Sequence, residues 1–377
     1  MHERPVVLFS GGGTGGHLYP ALAIADALRL ARPDVDAVFV GSQRGIEGRI
    51  LSDRGERHVL LPIQGIDRGR PVRSLAGLVG FARSLARTVR LFRTLRPEAV
   101  VVTGGYAGAP AGIVAGMFGV PLLIQEQNAV PGLVTRALAR WAERIHVAFP
   151  EAIERLPRGR ERARVTGNPV RPASQLDRAA ARAELGLPRE AVVLLVVGGS
   201  QGSLALNGAL LEAVAAVREG RTERPAGLHV LWATEPRHHA GVTGALGDAA
   251  WVQAVPYLED MPVALAAADL ALARAGAMFT AELLNQGLPA ILVPLPTAAA
   301  DHQTRNAEAL SAAGAAVVLP QSELGAARLW DTLDALLGSP DALPRMRAAA
   351  HALQRPDAAS ELAASVASMF RSAGRTG

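Results

Sequence analysis

A glycine-rich segment carries the clearest chemical signal in the sequence. It runs from Gly11 to His17, between the apolar run Val6–Phe9 and a helical pattern that follows Pro20. Glycines at a strand-to-helix turn bring the backbone within contact of a ligand, and the N–H groups at a helix start attract anions. The segment predicts a binding turn in which Thr14, Gly15 and Gly16 contact substrate. The alternative is an ordinary tight turn that binds nothing.

Proton transfer suits this turn better than hydride transfer. Gly11, Gly13 and Gly16 match the dinucleotide fingerprint, which also needs an acidic residue about 20 residues on to hold the ribose. The second apolar run ends without a carboxylate at its tip, so the NAD interpretation is disfavoured. His17 lies beside the glycines, and an imidazole can accept a proton near neutral pH.

Composition excludes several other chemistries. The 377 residues include no cysteine and no lysine, and arginine supplies all 39 basic side chains. Disulfides, thiolate catalysis, Schiff bases and a Walker A lysine are therefore excluded. The length predicts two domains. The sequence shows no signal-peptide pattern and no apolar run near the ~20 residues that span a bilayer, which together predict a cytoplasmic protein.

Positive charge is concentrated in the first half of the chain. Residues 1–168 carry a net charge of +9 and residues 169–377 a net charge of −4. The segment 68–97 has eight arginines and no acidic residue, and its apolar residues recur at helical spacing. This pattern suits an anionic membrane surface, and an ordinary surface helix with a solvated arginine face is the alternative.

Strand and helix patterns alternate throughout, which predicts parallel sheets flanked by helices. A glycine loop, 103–110, and a polar segment, 125–128, follow apolar runs at positions where ligands bind in such sheets. Four consecutive polar residues at 125–128 are not typical of a core, and a surface loop is the alternative there. The segment 167–172 contains Pro169 and Pro172, which hold it extended, and it predicts a domain boundary. A strong strand pattern at 191–197 is followed by a second glycine-rich turn at 198–203, which predicts that a second α/β unit begins there.

Two such units in succession resemble the GT-B glycosyltransferases. Within that class the sequence is similar to the family that adds N-acetylglucosamine to the membrane-anchored muramyl-pentapeptide precursor of peptidoglycan. The resemblance covers essentially the full length and rests on motifs that occur in the same order: Gly12–His17, Gly104–Tyr106, Glu126–Asn128, Gly167–Arg171, Gly198–Gly202, Gly276–Glu282, and Gln303 with Asn306.

The resemblance implies an α/β GT-B architecture with two Rossmann-like domains facing a central cleft. Residues 1–168 would form the acceptor- and membrane-facing domain, residues 169–356 the donor domain, and a helix at about 357–377 would return to the first. It implies inverting transfer from UDP-N-acetylglucosamine to the 4-hydroxyl of the lipid-linked muramyl sugar, at the cytoplasmic membrane face. No cofactor, metal ion or nucleic acid is implied.

Donor-binding residues follow from the same resemblance. The helix that begins near Ala277 offers N–H groups and a positive dipole to the diphosphate. Glu282 lies about 7.5 Å along that helix from Ala277, where its carboxylate could accept both ribose hydroxyls. The remaining expected donor contacts are Asn128, Arg171, Ser200, Leu258, Met278, Phe279, Thr280, Ala281 and Gln303.

Two residues are candidates for the general base that deprotonates the acceptor hydroxyl. His17 is the first, with a purely structural role as its alternative, and Glu126 is the second. Two positions depart from the family pattern: Ala275 replaces a usual serine, and His302 replaces a usual polar amide. The rival functions are an NAD-dependent oxidoreductase, a non-catalytic sugar-binding protein, and a glycosyltransferase that acts on another lipid or natural-product acceptor.

Overall fold

Strands alternate with helices along the chain, and each strand pair is parallel, as the sequence predicts. The computed structural model describes residues 4–13, 15–63, 71–199 and 202–370, with only the backbone given for 71–76. The chain divides into two units: Met1–Val170 with Asp357–Gly377, and Arg171–Pro356.

The first unit contains a seven-stranded parallel sheet. Its strands are β1 (Val6–Gly11), β2 (Asp36–Ser42), β3 (His58–Leu61), β4 (Ala99–Gly104), β5 (Leu122–Glu126), β6 (Arg144–Val147) and β7 (Ala163–Val165). Its helices are α1 (Gly15–Ala31), α2 (Glu47–Asp53), α3 (Pro71–Leu95), α4 (Gly108–Phe118), α5 (Leu133–Leu138) and α6 (Pro150–Glu154). The strand order is β3-β2-β1-β4-β5-β6-β7.

The second unit repeats this plan with six strands. They are β8 (Val192–Val197), β9 (Leu228–Ala233), β10 (Val252–Val255), β11 (Leu270–Ala273), β12 (Ala290–Leu292) and β13 (Ala316–Val318), in the order β10-β9-β8-β11-β12-β13. Its helices are α7 (Arg178–Glu184), α8 (Leu204–Arg218), α9 (Pro236–Leu246), α10 (Met261–Ala267), α11 (Ala277–Gln286), α12 (His302–Ala312), α13 (Ala326–Leu337) and α14 (Ala342–Ala352).

Each sheet has a topological switch point, where the strand order reverses. In the first unit it lies between β1 and β4, and in the second between β8 and β11. Ligands of open parallel sheets bind beyond the carboxyl ends of the strands at such points. The site residues of each unit are therefore expected on the turns that follow these four strands.

A last helix, α15 (Ala358–Ala367), belongs to the first unit and packs on α1. Leu362, Ala363 and Val366 join the core cluster that also contains Leu18 and Leu22. The helix is also held by polar contacts, because the buried His146 lies 2.9 Å from the hydroxyl of Ser365 through its Nε2.

Residues 68–70 of the basic segment lie outside the described residues, and residues 71–95 form α3, whose described side chains make one buried face and one exposed face. Phe92, Ser84 and Thr88 are buried, whereas Leu78 and Val79 are 63% and 47% exposed. The five arginines from Arg83 to Arg96 are all exposed, and none forms an ion pair within the described part of the chain. No described helix is both long enough and apolar enough to span a bilayer.

Some predicted details were wrong. The third strand was expected at Leu60–Ile63 but occupies His58–Leu61. Strands β6, β7, β10 and β13 were missed, because each has only three or four residues and some contain charged or polar side chains. The polar segment 125–128 was not expected to be core, yet Gln125, Glu126 and Gln127 are buried.

Candidate active site

His17 lies at the switch point of the first sheet. β1 ends at Gly11, α1 begins at Gly15, and His17 is the third residue of that helix. Its Nδ1 is 3.0 Å from the backbone oxygen of Thr103, near the end of β4, and 3.0 Å from Oε1 of Gln127. The imidazole therefore bridges the turns that leave β1, β4 and β5.

These contacts determine the tautomer of His17. Gln127 donates through Nε2 to the backbone oxygens of Thr103, at 2.8 Å, and Gln125, at 3.1 Å, so its Oε1 must face the imidazole. Both partners of Nδ1 are then acceptors, and Nδ1 carries the hydrogen. Nε2 keeps its lone pair, and no hydrogen bond within the described ranges reaches it. This is the arrangement that a general base requires.

The glycine loop 103–110, which follows β4, is shaped around this imidazole. A Cβ on Gly104 would lie 3.1 Å from Nδ1 of His17, and one on Gly105 would lie 2.9 Å from its Cδ2 and overlap the backbone oxygen of Gly12. Both glycines also have positive φ values, of 95° and 68°. Side chains at these two positions would displace His17, which explains the glycines.

Glu126, the second candidate base, is buried and engaged by its own loop. One carboxylate oxygen accepts from the backbone N–H of Asn128 at 3.1 Å. The other accepts from the N–H of Gly132 at 3.0 Å and from the hydroxyl of Thr135 at 2.6 Å. These contacts suit a residue that shapes the loop between β5 and α5, and they favour His17 as the base.

A residue that sequence reasoning missed supports the first glycine turn. Glu47, the first residue of α2, is wholly buried and accepts a hydrogen bond from the N–H of Gly13. A Cβ on Gly12 or Gly45 would overlap its carboxylate. In the sequence, the glycines around Glu47 were the signal that could have indicated this buried carboxylate. In the same turn Gly15 is buried and Gly16 is exposed, while Thr14 lies outside the described residues.

The second unit places Glu282 at the switch point of its own sheet. Glu282 lies on α11, which follows β11, and its side chain is 17% exposed. Arg171 lies 3.5 Å from it through Nη2. Burial raises the pKa of the Glu282 carboxyl, and the nearby guanidinium only partly opposes this effect. Two residues expected to contact the donor are thus brought together within this unit.

The amino end of α11 is capped by Gly276 in an extended conformation, without a side-chain cap. Ala277 is buried, and Thr280 donates its hydroxyl back to the Ala277 oxygen at 3.0 Å. Ala275 is fully buried, so the family serine that it replaces would lie in the interior. The other α11 residues expected to contact the donor are half-buried: Met278, Phe279 and Ala281.

The remaining expected donor contacts lie on other turns of this unit. Leu258, between β10 and α10, is buried, and Gln303 accepts from the N–H of Leu295 at 3.0 Å through its Oε1. Ser200 lies outside the described residues, and Asn128 belongs to the first unit. No group of His, Asp or Glu side chains in the described ranges could hold a metal ion.

Two parallel α/β units, each with candidate site residues at its switch point, define the GT-B class of glycosyltransferases. Residues 7–147 match the glycosyltransferase family 28 N-terminal domain, and residues 193–362 match the family 28 C-terminal domain. The chain belongs to glycosyltransferase family 28.

Relatives and solved structures agree with this assignment. The chain is 45% identical over 368 residues to the UDP-N-acetylglucosamine–N-acetylmuramyl-(pentapeptide) pyrophosphoryl-undecaprenol N-acetylglucosamine transferase of Salinibacter ruber, covering 97% of this chain and 96% of that protein. The enzyme of the same name from Moorella thermoacetica is 40% identical, with 93% and 95% covered. The crystal structure of Acinetobacter baumannii MurG matches with a TM-score of 0.77 and 29% identity, over 97% of this chain and 99% of that one.

Proposed function

We propose that the protein transfers N-acetylglucosamine from UDP-N-acetylglucosamine to the 4-hydroxyl of a muramyl-pentapeptide carried on undecaprenyl pyrophosphate. The names of its relatives supply the two substrates. The observation that carries the chemistry is the oriented imidazole of His17, whose Nε2 has no partner within the described residues and whose Nδ1 faces two acceptors.

The transfer is a single displacement that inverts the anomeric carbon. The acceptor oxygen attacks that carbon, its proton passes to Nε2 of His17, and the bond from the sugar to the diphosphate breaks as UDP leaves. His17 supplies proton transfer, which contributes about 10²–10⁴-fold in rate. The amino end of α11 would stabilise the departing diphosphate, and Glu282 would hold the ribose.

We further propose that α3 docks the protein on the anionic cytoplasmic surface of the cell membrane. Its four arginines from Arg83 to Arg93 are exposed, and Leu78 and Val79 lie exposed on the same helix. Each basic residue near an anionic surface contributes about 1 kcal/mol, so a few of them suffice for peripheral binding. A lipid-linked acceptor would then be met at that surface.

The proposal is tested by measuring UDP release with UDP-N-acetylglucosamine and a lipid-linked muramyl-pentapeptide, and by identifying the disaccharide product. The expected result is turnover that requires both substrates. Turnover with natural-product aglycones but not with the muramyl lipid would assign another acceptor. Absence of UDP release with every acceptor would contradict the glycosyltransferase function.

A further inference from the structure

Arg274 is a buried cation at the switch point of the second sheet. It follows the last residue of β11, comes two residues before the cap of α11, and is 8% exposed. Every hydrogen-bond partner that the structure gives its guanidinium is a neutral oxygen: Val293 O at 3.1 Å, Pro294 O at 3.2 Å, Ser203 Oγ at 2.8 Å and Gln321 Oε1 at 2.6 Å.

No carboxylate within the described ranges forms an ion pair with Arg274. Burial lowers the pKa of its guanidinium, and no neighbouring charge contributes to the shift. Removing a cation from water without an anionic partner is costly, and buried arginines are ordinarily paired. Neutral oxygens accept from its Nη1 and Nη2 but leave its charge uncompensated. The positive charge of Arg274 therefore has no anionic partner within the described residues. A bound anionic ligand could supply one.

The position of Arg274 indicates which ligand that is. Its partner Ser203 caps α8, the helix that follows the second glycine-rich turn, and accepts from the N–H of Leu206. Val293 and Pro294 follow β12, and α11 begins three residues after Arg274. The guanidinium thus lies under the turns that leave β8 and β11, where such sheets bind phosphates.

We propose that Arg274 supplies a fixed positive charge that holds the diphosphate of the nucleotide donor and stabilises the charge that grows on it as the sugar leaves. It acts through space as a positioning residue, because the N–H groups of its Nη1 and Nη2 are already used by the protein. The inference rests on the proposed function, since it assumes that a nucleotide diphosphate binds at this switch point. A purely structural role, which ties three turns together, is the competing explanation.

A ligand series of increasing charge separates the two roles. Calorimetry would compare uridine, UMP and UDP on the wild-type protein, Arg274→Gln, Arg274→Lys and the control Arg189→Gln. Gln is neutral but keeps a donor for the carbonyl oxygens, and Lys keeps the charge. Arg189 is 81% exposed and lies before β8, at the opposite edge of the same sheet.

We expect Arg274→Gln to weaken UDP binding about 30-fold, UMP binding several-fold and uridine binding less than threefold, since the loss follows ligand charge. Arg274→Lys should keep most of the preference for UDP over uridine, and Arg189→Gln should keep all of it. An equal loss for all three ligands would overturn the inference. If the Gln variant does not fold, a Lys variant that loses the UDP preference overturns it. A wild-type protein that binds no UDP would instead contradict the proposed function.

Discussion

The side-chain oxygen of Gln127 lies 3.0 Å from Nδ1 of His17, and this contact orients the imidazole. Gln127 is itself fixed by donating to the backbone oxygens of Thr103 and Gln125. Gln125 in turn donates to the side chain of Asn168 at 2.9 Å, so a buried amide network supports the candidate base. Buried polar groups of this kind are stable only when their partners are present.

Replacing His17 tests its role as the base. His17→Ala should lower kcat by about 10²–10⁴-fold, because proton transfer is lost, while UDP affinity stays within about twofold. Steady-state kinetics and calorimetry measure the two quantities. His58→Ala is a matched control, since His58 lies on the edge strand β3 of the same sheet. A His17 variant that keeps turnover within tenfold of the wild-type rate would assign the proton to Glu126 or to solvent.

Gln127 should affect the rate through His17. Gln127→Leu removes one acceptor of Nδ1 and leaves the Thr103 oxygen, so we expect kcat to fall about tenfold as the productive tautomer and orientation become less populated. UDP affinity should not change. Gln127→Glu keeps an acceptor oxygen and should retain more activity than the Leu variant. Equal kcat in the wild-type protein and the Leu variant would show that Gln127 does not orient the base.

The sequence predicted the α/β fold and the two glycine-rich turns that follow β1 and β8, because glycine turns and apolar strands are local signals. It could not predict the amide network behind His17. His17 and Gln127 are 110 residues apart, and Gln125 and Asn168 are 43 apart, so their pairing depends on strand order. For the same reason the sequence did not predict that Gln125, Glu126 and Gln127 are buried. It predicted a polar segment that lines the ligand crevice, with a surface loop as the alternative.

Arg274 and Glu47 show a second limit of sequence reasoning. From the sequence alone, a charged residue next to a glycine turn can be interpreted equally well as solvent-exposed or as buried. Only the structure shows that Glu47 is wholly buried and that Arg274 is surrounded by neutral oxygens. Burial of a charge depends on tertiary packing, which no local pattern encodes.

Glu282 is expected to bind the donor and, at neutral pH, to destabilise the native state. Burial raises its pKa, so this carboxyl favours the native state below its ordinary value of 4.5 and disfavours it as pH rises through the native-state pKa. Glu282→Gln should therefore unfold at an equal or higher temperature at neutral pH. It should bind UDP about 10–100-fold more weakly, because charge-assisted hydrogen bonds to the ribose are lost. Unchanged UDP affinity by calorimetry would contradict the ribose assignment.

His146 should make stability depend on pH. Burial, with smaller effects of Arg144 and Arg164, lowers its pKa from 6.5 to about 4. The unfolded chain therefore binds a proton at His146 more readily than the native state does. The contribution of His146 to the free energy of unfolding is full above pH 6.5 and decreases as the pH drops towards 4. The slope from this one group is at most about 1.4 kcal/mol per pH unit. Urea unfolding of the wild-type protein and His146→Gln between pH 7.5 and 4.5 measures it, and identical slopes would contradict the prediction.

The exposed arginines of α3 should hold the protein on anionic membranes. Changing Arg83, Arg87 and Arg90 together to glutamine should release most of the protein from anionic vesicles in a sedimentation assay, because about 3 kcal/mol of attraction is removed. Turnover on a short-chain, water-soluble acceptor should stay within about twofold, since α3 lies outside both switch points. The matched control changes three exposed arginines of the second unit to glutamine: Arg189, Arg237 and Arg328. If the α3 variant sediments with anionic vesicles as fully as this control at physiological salt, α3 is not the docking surface.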